Sequence, residues 1–245
     1  RQMCIRDSLW SAGTAKTSNA LDTPFKMNEQ LSNIDNVLFD LDGTLVDSSG
    51  TITTCIHHAL ERVGVPAAPG TRMDMFIGLS LLDIFRNEFD MSQTQSEAAI
   101  AYYRDHFDAL GQADSQVYAD IQDVLADLRN AGYRLFVATV KPTSIAEKVL
   151  SDLQLRPHFE GVSGASMGHE RRDKSGIISH AINKYKLDPA RSMMIGDRDQ
   201  DISGARDNGL VSVAVTYGFG SREELLAAGP DHTVNHSRGI TSLLL

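Results

Sequence analysis

After about Asp120 the chain alternates between helical and extended apolar patterns, and few architectures accept that alternation. Ile121, Val124, Leu125 and Leu128 line one face of a helix that stops near Gly132. The spacing then predicts strands over 134–139, 159–163, 192–195 and 211–215. Between and after them it predicts helices over 143–150, 174–186, 199–208, 222–227 and 240–244. An earlier apolar run, Asn36-Val37-Leu38-Phe39-Asp40-Leu41, reads as a buried strand. Strands alternating with helices predict an α/β fold with a parallel, doubly wound sheet. From about 51 to 112 the pattern is helical only: Ile52, Ile56, Ala59, Leu60 and Val63 keep helical spacing, and Gly64 and Pro66 end that helix. This block is expected to form a second, smaller all-helical domain, with 31–50 and 114–245 as the core and 51–113 as the insert.

Composition excludes several functions. The 245 residues, 42% hydrophobic and 22% charged, are enough for a sizeable core. Lys and Arg number 23 against 32 Asp and Glu, a formal charge of −9. A nucleic-acid-coating protein would carry a basic stripe, so no nucleic-acid polymer is expected as partner. No apolar run approaches 18 residues, so no membrane partner is expected either. Cys4 and Cys55 are too few for a disulfide framework and suit a reducing cytoplasm. Residues 1–30 show no sustained period and no continuous apolar centre of a signal peptide. They are expected to be a disordered or extraneous tail that contributes no function.

Ligands of an open parallel sheet bind outside the carboxyl ends of its strands. Three such ends carry distinctive polar residues: Asp40-Leu41-Asp42-Gly43-Thr44-Leu45, then Thr139, then Gly196-Asp197-Arg198-Asp199-Gln200-Asp201. Singly, each has a structural explanation, since Asp after a strand is often a helix N-cap and Thr a turn residue. Together they bring carboxylates from the first and fourth strands into one cleft, which is costly without a cation. All-oxygen ligands favour a hard ion, and Mg²⁺ fits best. In such a site Asp40 can attack phosphorus, giving an aspartyl-phosphate. Asp42, two residues along and read as on the same strand face, can protonate the leaving oxygen and then deprotonate water. Thr139 offers a hydroxyl and Lys174 a cation for the phosphoryl oxygens.

These stretches carry a resemblance. Asp40-Leu-Asp-Gly-Thr-Leu-Val-Asp, Val137-Ala-Thr-Val-Lys-Pro, Lys174 with its helix, and Gly196-Asp-Arg-Asp-Gln-Asp resemble, in order and spacing, the motifs of the haloacid dehalogenase-like (HAD) superfamily of phosphohydrolases. The runs 204–209 and 217–221 look like the branch holding phosphoglycolate phosphatases and 5′-nucleotidases. The resemblance spans about residue 36 to the C-terminus. It implies a Rossmann-like core with a helical cap, Asp40 as nucleophile and Asp42 as general acid/base. The implied metal ligands are Asp40, the Asp42 backbone carbonyl and Asp197, with Asp201 behind them orienting metal waters and Lys174. Val140 departs from the pattern, which more often has a small polar residue there.

The expected activity is a Mg²⁺-dependent phosphatase acting on a small phosphorylated metabolite, phosphoglycolate or a nucleoside monophosphate. Asp42 argues against a dehalogenase. The absence of any Lys between Lys26 and Lys141 argues against a phosphonatase, which needs a cap lysine. A sugar phosphomutase and a noncatalytic HAD-fold binding protein remain as alternatives. Lys141 reads equally as a phosphate contact or a solvated loop lysine. His57-His58 lack further ligands at zinc spacing. Gly78-Leu79-Ser80 is a candidate substrate-facing turn, and 161–168, with three glycines, reads as a flexible loop. Arg62, Arg72, Arg86 and Arg104 are equal candidates to meet a substrate anion.

Overall fold

The computed structural model describes residues 31–111, 114–166 and 171–245. The expected tail, residues 1–30, lies outside the described residues. Six parallel strands form the main sheet: β1 (Asn36–Phe39), β4 (Arg134–Pro142), β5 (Gly161–Ala165), β6 (Ser192–Gly196), β7 (Val211–Val215) and β8 (His232–Val234). Their spatial order is β5-β4-β1-β6-β7-β8. The chain leaves β1 to one side, lays down β4 and β5, then returns to the other side of β1 to start β6. That reversal opens a crevice at the carboxyl ends of β1, β4 and β6.

Alternation within each strand decides how the two faces are covered. Val37 and Phe39, Leu135 and Val137, Met193 and Ile195 point into one apolar cluster. It also holds residues of α4 (Ile121–Asn130), α5 (Thr143–Asp152) and α9 (Arg238–Leu244). Leu38, Phe136, Ala138 and Met194 point the other way, against α6 (Lys174–Tyr185) and α7 (Asp199–Asp207). A sheet buried on both faces reads as continuous apolar runs, as these strands do. The remaining helix of this half is α8 (Arg222–Ala228).

Between β1 and β4 the chain forms a two-stranded antiparallel ribbon, β2 (Val46–Asp47) with β3 (Gln116–Val117), and helices leave and return through it. They are α1 (Ser49–Arg62), a 3₁₀ turn Met73–Phe76, α2 (Leu81–Asp83) running into a π turn Ile84–Glu88, and α3 (Gln93–Leu110). α3 begins with a capping box in which Ser92 and Gln95 satisfy each other's backbone N–H groups. Ile52, Cys55, Ile56, Ala59 and Leu60 of α1 join Ala99, Ile100, Tyr103 and Phe107 of α3 in the cluster that also covers the sheet.

Three details differ from the sequence reading. β1 ends at Phe39, so Asp40 and Asp42 lie in the turn beyond the strand rather than along it. The ribbon and β8 carry too few residues for a period to show. Within 161–168, residues Gly161–Ala165 form strand β5 rather than a loop. Its first glycine is there because the Tyr185 ring occupies the space a Cβ would need.

Candidate active site

The site is assembled by backbone first. Asp40 N–H donates to Ile195 O at 2.9 Å, which fixes the turn after β1 against β6. The turn closes with Gly43 N–H donating to Val46 O at 2.9 Å. Gly43 sits at φ +84° and Asp197 fills the place of its missing Cβ; Gly218 backs the same carboxylate from the loop after β7. Side chains at either position would displace Asp197.

Asp40 is fully buried. Its Oδ1 accepts from Leu41 N–H at 2.7 Å and lies 2.9 Å from Lys174 Nζ. Its Oδ2 is buried without a hydrogen-bond partner. Lys174, the first residue of α6, reaches from the opposite face of the sheet: Nζ stands 2.7 Å from Asp201 Oδ1 and donates to Ala138 O at 3.0 Å. The α6 N-cap, Asp173, accepts from Gly176 N–H at 2.8 Å and sets the direction of that first turn. Asp40 Oδ1, Asp201 Oδ1 and Ala138 O thus all lie within 3.0 Å of Lys174 Nζ, which sets the amine against the Asp40 carboxylate.

Asp197 takes a hydrogen bond from Thr44 Oγ1 at 3.1 Å and from Phe219 N–H at 2.8 Å. Asp201 accepts from Arg198 N–H at 3.1 Å. One oxygen from each of Asp40, Asp197 and Asp201 lies within 4.8 Å of the others, all three residues buried. Desolvation, and then the neighbouring Asp201 and Asp40 charges, push the Asp197 carboxyl up to about 8. Burial likewise raises Asp201, against the pull of Lys174. Burial opposes the charge on Lys174, but Asp201 and Asp40 outweigh it and hold its pKa above the ordinary lysine value.

The Asp42 carboxylate is outside this trio and has partners of its own. It accepts from Ser48 Oγ at 2.7 Å and from Lys141 Nζ at 3.0 Å. Lys141 is therefore not a solvated loop lysine: its side chain is 8% exposed and paired with Asp42. Thr139 is buried within β4, which runs on past it to Pro142, and its Oγ1 accepts from Lys141 N–H at 3.3 Å. Four buried carboxylates thus face two buried lysines, leaving two formal negative charges uncompensated. The donor set is all oxygen and tightly grouped, and it fits a hard divalent cation.

Sequence reasoning missed Thr44, the Phe219 amide and the Ser48 and Lys141 partners of Asp42. The first two sit inside runs already singled out, Gly43-Thr44 and 217–221, so the signal was present without its role. His57 and His58 join no metal-ligating group among the described residues; His58 stacks on His106 at 4.0 Å between α1 and α3. No helix among the described residues is long and apolar enough to cross a membrane.

Comparison with known proteins identifies the family of the chain. Residues 37–215 match the family model described as haloacid dehalogenase-like hydrolase. A 5′-nucleotidase of Pseudomonas aeruginosa is 35% identical over 197 residues, covering 80% of this chain and 89% of that one. The tyrosine-protein kinase PtkA of Mycobacterium tuberculosis is 35% identical over 207 residues, 84% of this chain and 70% of its own. A phosphoglycolate phosphatase of Vibrio vulnificus is 26% identical over 217 residues, 85% and 95% of the two chains. The crystal structure of a predicted phosphatase from Clostridium acetobutylicum superposes with a TM-score of 0.82 at 35% identity, covering 86% of this chain and 98% of that one. The chain belongs to the haloacid dehalogenase-like hydrolase family, and within it to the phosphoric monoester hydrolases.

Proposed function

We propose that the enzyme is a Mg²⁺-dependent phosphatase that releases phosphate from a small phosphorylated metabolite through an aspartyl-phosphate on Asp40. The observation that carries this reading is Asp40 itself: one oxygen is pinned by Leu41 N–H and Lys174, and the other is buried and unpartnered. A nucleophile held by one oxygen and free at the other is oriented for in-line attack. Oδ2 forms a bond to phosphorus while the ester oxygen leaves, taking a proton from Asp42. Water then attacks the acyl phosphate, Asp42 accepts its proton, and the P–Oδ2 bond breaks to return the Asp40 carboxylate. Thr139 Oγ1 is placed to hold a phosphoryl oxygen, and Lys174 keeps Asp40 in register.

Asp40, Asp197 and the Asp42 backbone carbonyl would hold the cation, with Asp201 behind them. When bound, it would offset the carboxylate charge and stabilise the transferring phosphoryl group. The helical block, 51–113, serves as a cap over the cleft, with 31–50 and 114–245 as the catalytic core. Relatives named 5′-nucleotidase and phosphoglycolate phosphatase support a small-metabolite substrate. A sugar phosphomutase of the same family is the second reading, and Leu79, Leu81 and Leu82 in the cavity wall offer little to hold the hydroxyls of a sugar. The test is phosphate release from a panel of phosphorylated metabolites, with Mg²⁺ and with EDTA, for the wild type and Asp40→Asn. Phosphate release that survives both EDTA and Asp40→Asn overturns the mechanism.

A further inference from the structure

A cavity of about 110 Å³ lies between the helical block and the sheet. Asp42 and Lys141 line it together with an apolar wall that includes Phe76, Leu79, Tyr103 and Phe107. Arg104 of α3 lines the same cavity, and its Nε is buried without a hydrogen-bond partner. Among the described residues its guanidinium makes no hydrogen bond or ion pair. Two further cations line the cavity and both are engaged: Lys141 is paired with Asp42, and Arg172 has an interaction of its own.

The other three cap arginines are engaged elsewhere. Arg62 stacks over Tyr102, 4.7 Å from the ring centroid. Arg72 pairs with Asp74, and Arg86 donates to Gln93 Oε1 at 2.9 Å. None of them lines the cavity. A buried Nε–H without a partner is costly until an acceptor meets it. Its planar fork matches a carboxylate or a phosphate.

We propose that Arg104 reads a second anionic group, a carboxylate or a second phosphate, on the leaving group of the substrate. The inference rests on the phosphatase reading above. The apolar wall would pack against the carbon linker between the two ends. Taking roughly 10–15 Å³ per water-sized position, the cavity of about 110 Å³ holds roughly seven to eleven such positions, fewer than the heavy atoms of a nucleoside. The selected class is therefore compact phosphomonoesters with an anionic leaving group.

The experiment compares kcat/KM with Mg²⁺ for 2-phosphoglycolate, ethanediol bisphosphate and the neutral comparator ethyl phosphate. The proteins are the wild type, Arg104→Leu, Arg104→Gln, Arg104→Lys and Arg86→Leu, each with its melting midpoint. Wild type should favour at least one anionic substrate over ethyl phosphate. Arg104→Leu and Arg104→Gln should lower that preference roughly ten- to hundred-fold, the worth of a charge-assisted hydrogen bond. Arg104→Lys should keep part of the preference, and Arg86→Leu all of it. Preference for the carboxylate or for the bisphosphate identifies which anion Arg104 reads. A wild-type preference near one, or a folded Arg104→Gln with the wild-type preference, overturns the proposal while phosphatase activity stands. Failure of the wild type to hydrolyse any of the three, or an aryl phosphate, overturns the phosphatase reading instead.

Discussion

The carboxyl end of the sheet and the cap above it handle charge in opposite ways. At the sheet, Asp40, Asp197, Asp201 and Lys174 are almost wholly buried, and backbone groups of Leu41, Ala138, Arg198 and Phe219 hold them in place. Across the cavity, the cap offers leucines, phenylalanines and one arginine with no partner among the described residues. Fixed charge suits a reaction that must stabilise the same developing charge for every substrate. An apolar wall with a single unsatisfied cation suits recognition of the part that varies. The proposed function would thus divide reaction and selection between different segments of one chain, and each half of that proposal can be attacked separately.

The largest effect is expected at the sheet. Asp40→Asn keeps the shape of the side chain but removes the nucleophile, and kcat should fall by at least ~10⁴-fold with the melting temperature little changed. Stopped assays on the purified variant and a thermal melt check this. Retention of a tenth of wild-type kcat would move the nucleophile elsewhere.

Next comes the cation. The four buried carboxylates and two lysines predict that Mg²⁺ stabilises the fold as well as enabling turnover. At a free concentration a hundred times its Kd, linkage gives about 2.7 kcal/mol. For a chain of this size that is a rise of roughly 5–10 °C in Tm. EDTA-treated protein melted with and without Mg²⁺ reads this directly, and no shift would mean that the carboxylate trio does not bind the ion. Asp42, facing Ser48 and Lys141 instead, should contribute little to that shift through its side chain.

How much of this was legible in the sequence follows the same division. The core announces itself locally: an apolar run ending in Asp40-Leu41-Asp42-Gly43-Thr44 and another ending in Gly196-Asp197 each carry strand and chemistry together. Lys174 could be placed because a helix start follows a strand at the right distance. What the residues touch was not legible. Lys141 meets Asp42 across 99 positions and Phe219 meets Asp197 across 22, contacts that no local period encodes. In the cap the loss is greater. Arg62, Arg72, Arg86 and Arg104 look alike in sequence, and only the folded arrangement of the helical block separates the one that lines the cavity from those turned to Tyr102, Asp74 and Gln93. The ribbon that joins the two regions escaped because two residues per strand cannot show a period.

A third prediction concerns the joint between the regions. Arg198 follows Asp197 directly, is 7% exposed, and holds the cap from the core. Its Nη1 donates to Met75 O and Ile77 O, both at 3.1 Å, while Nε is anchored on Glu224 at 2.9 Å. Gln200 adds a hydrogen bond to Gly78 O. Arg198→Leu should release the turn Met73–Phe76 and the residues after it. The amides of Ile77 and Leu79 should then exchange with solvent roughly ten- to hundred-fold faster, the equivalent of 1.5–3 kcal/mol. Amides of β1 and β6 should keep their protection. Unchanged exchange at 73–79 would show that apolar packing of Phe76 and Ile77 alone seats the cap.

The smallest effect sharpens the comparison most, because it asks whether position rather than charge makes a cap arginine matter. Arg62, Arg72 and Arg86 carry the same charge as Arg104 but lie outside the cavity wall. Arg72 and Asp74 are 71% and 44% exposed, so water and salt screen their pair. Arg62 lies over Tyr102 and Arg86 is tied to Gln93 seven residues on, so neither is free to swing inward without losing a contact. Replacing each by Ala removes one positive charge from the cap without altering the cavity wall. If selection depended on the overall positive potential of the cap, the three variants would each weaken turnover of anionic substrates, more at low salt than at high. If it depends on a guanidinium inside the wall, each should change kcat/KM by less than about two-fold for anionic and neutral leaving groups alike, at any ionic strength. Measuring the three variants on both substrate types at two salt concentrations decides between these. A uniform, salt-sensitive loss across the set would return the selecting role from the cavity to the surface of the cap.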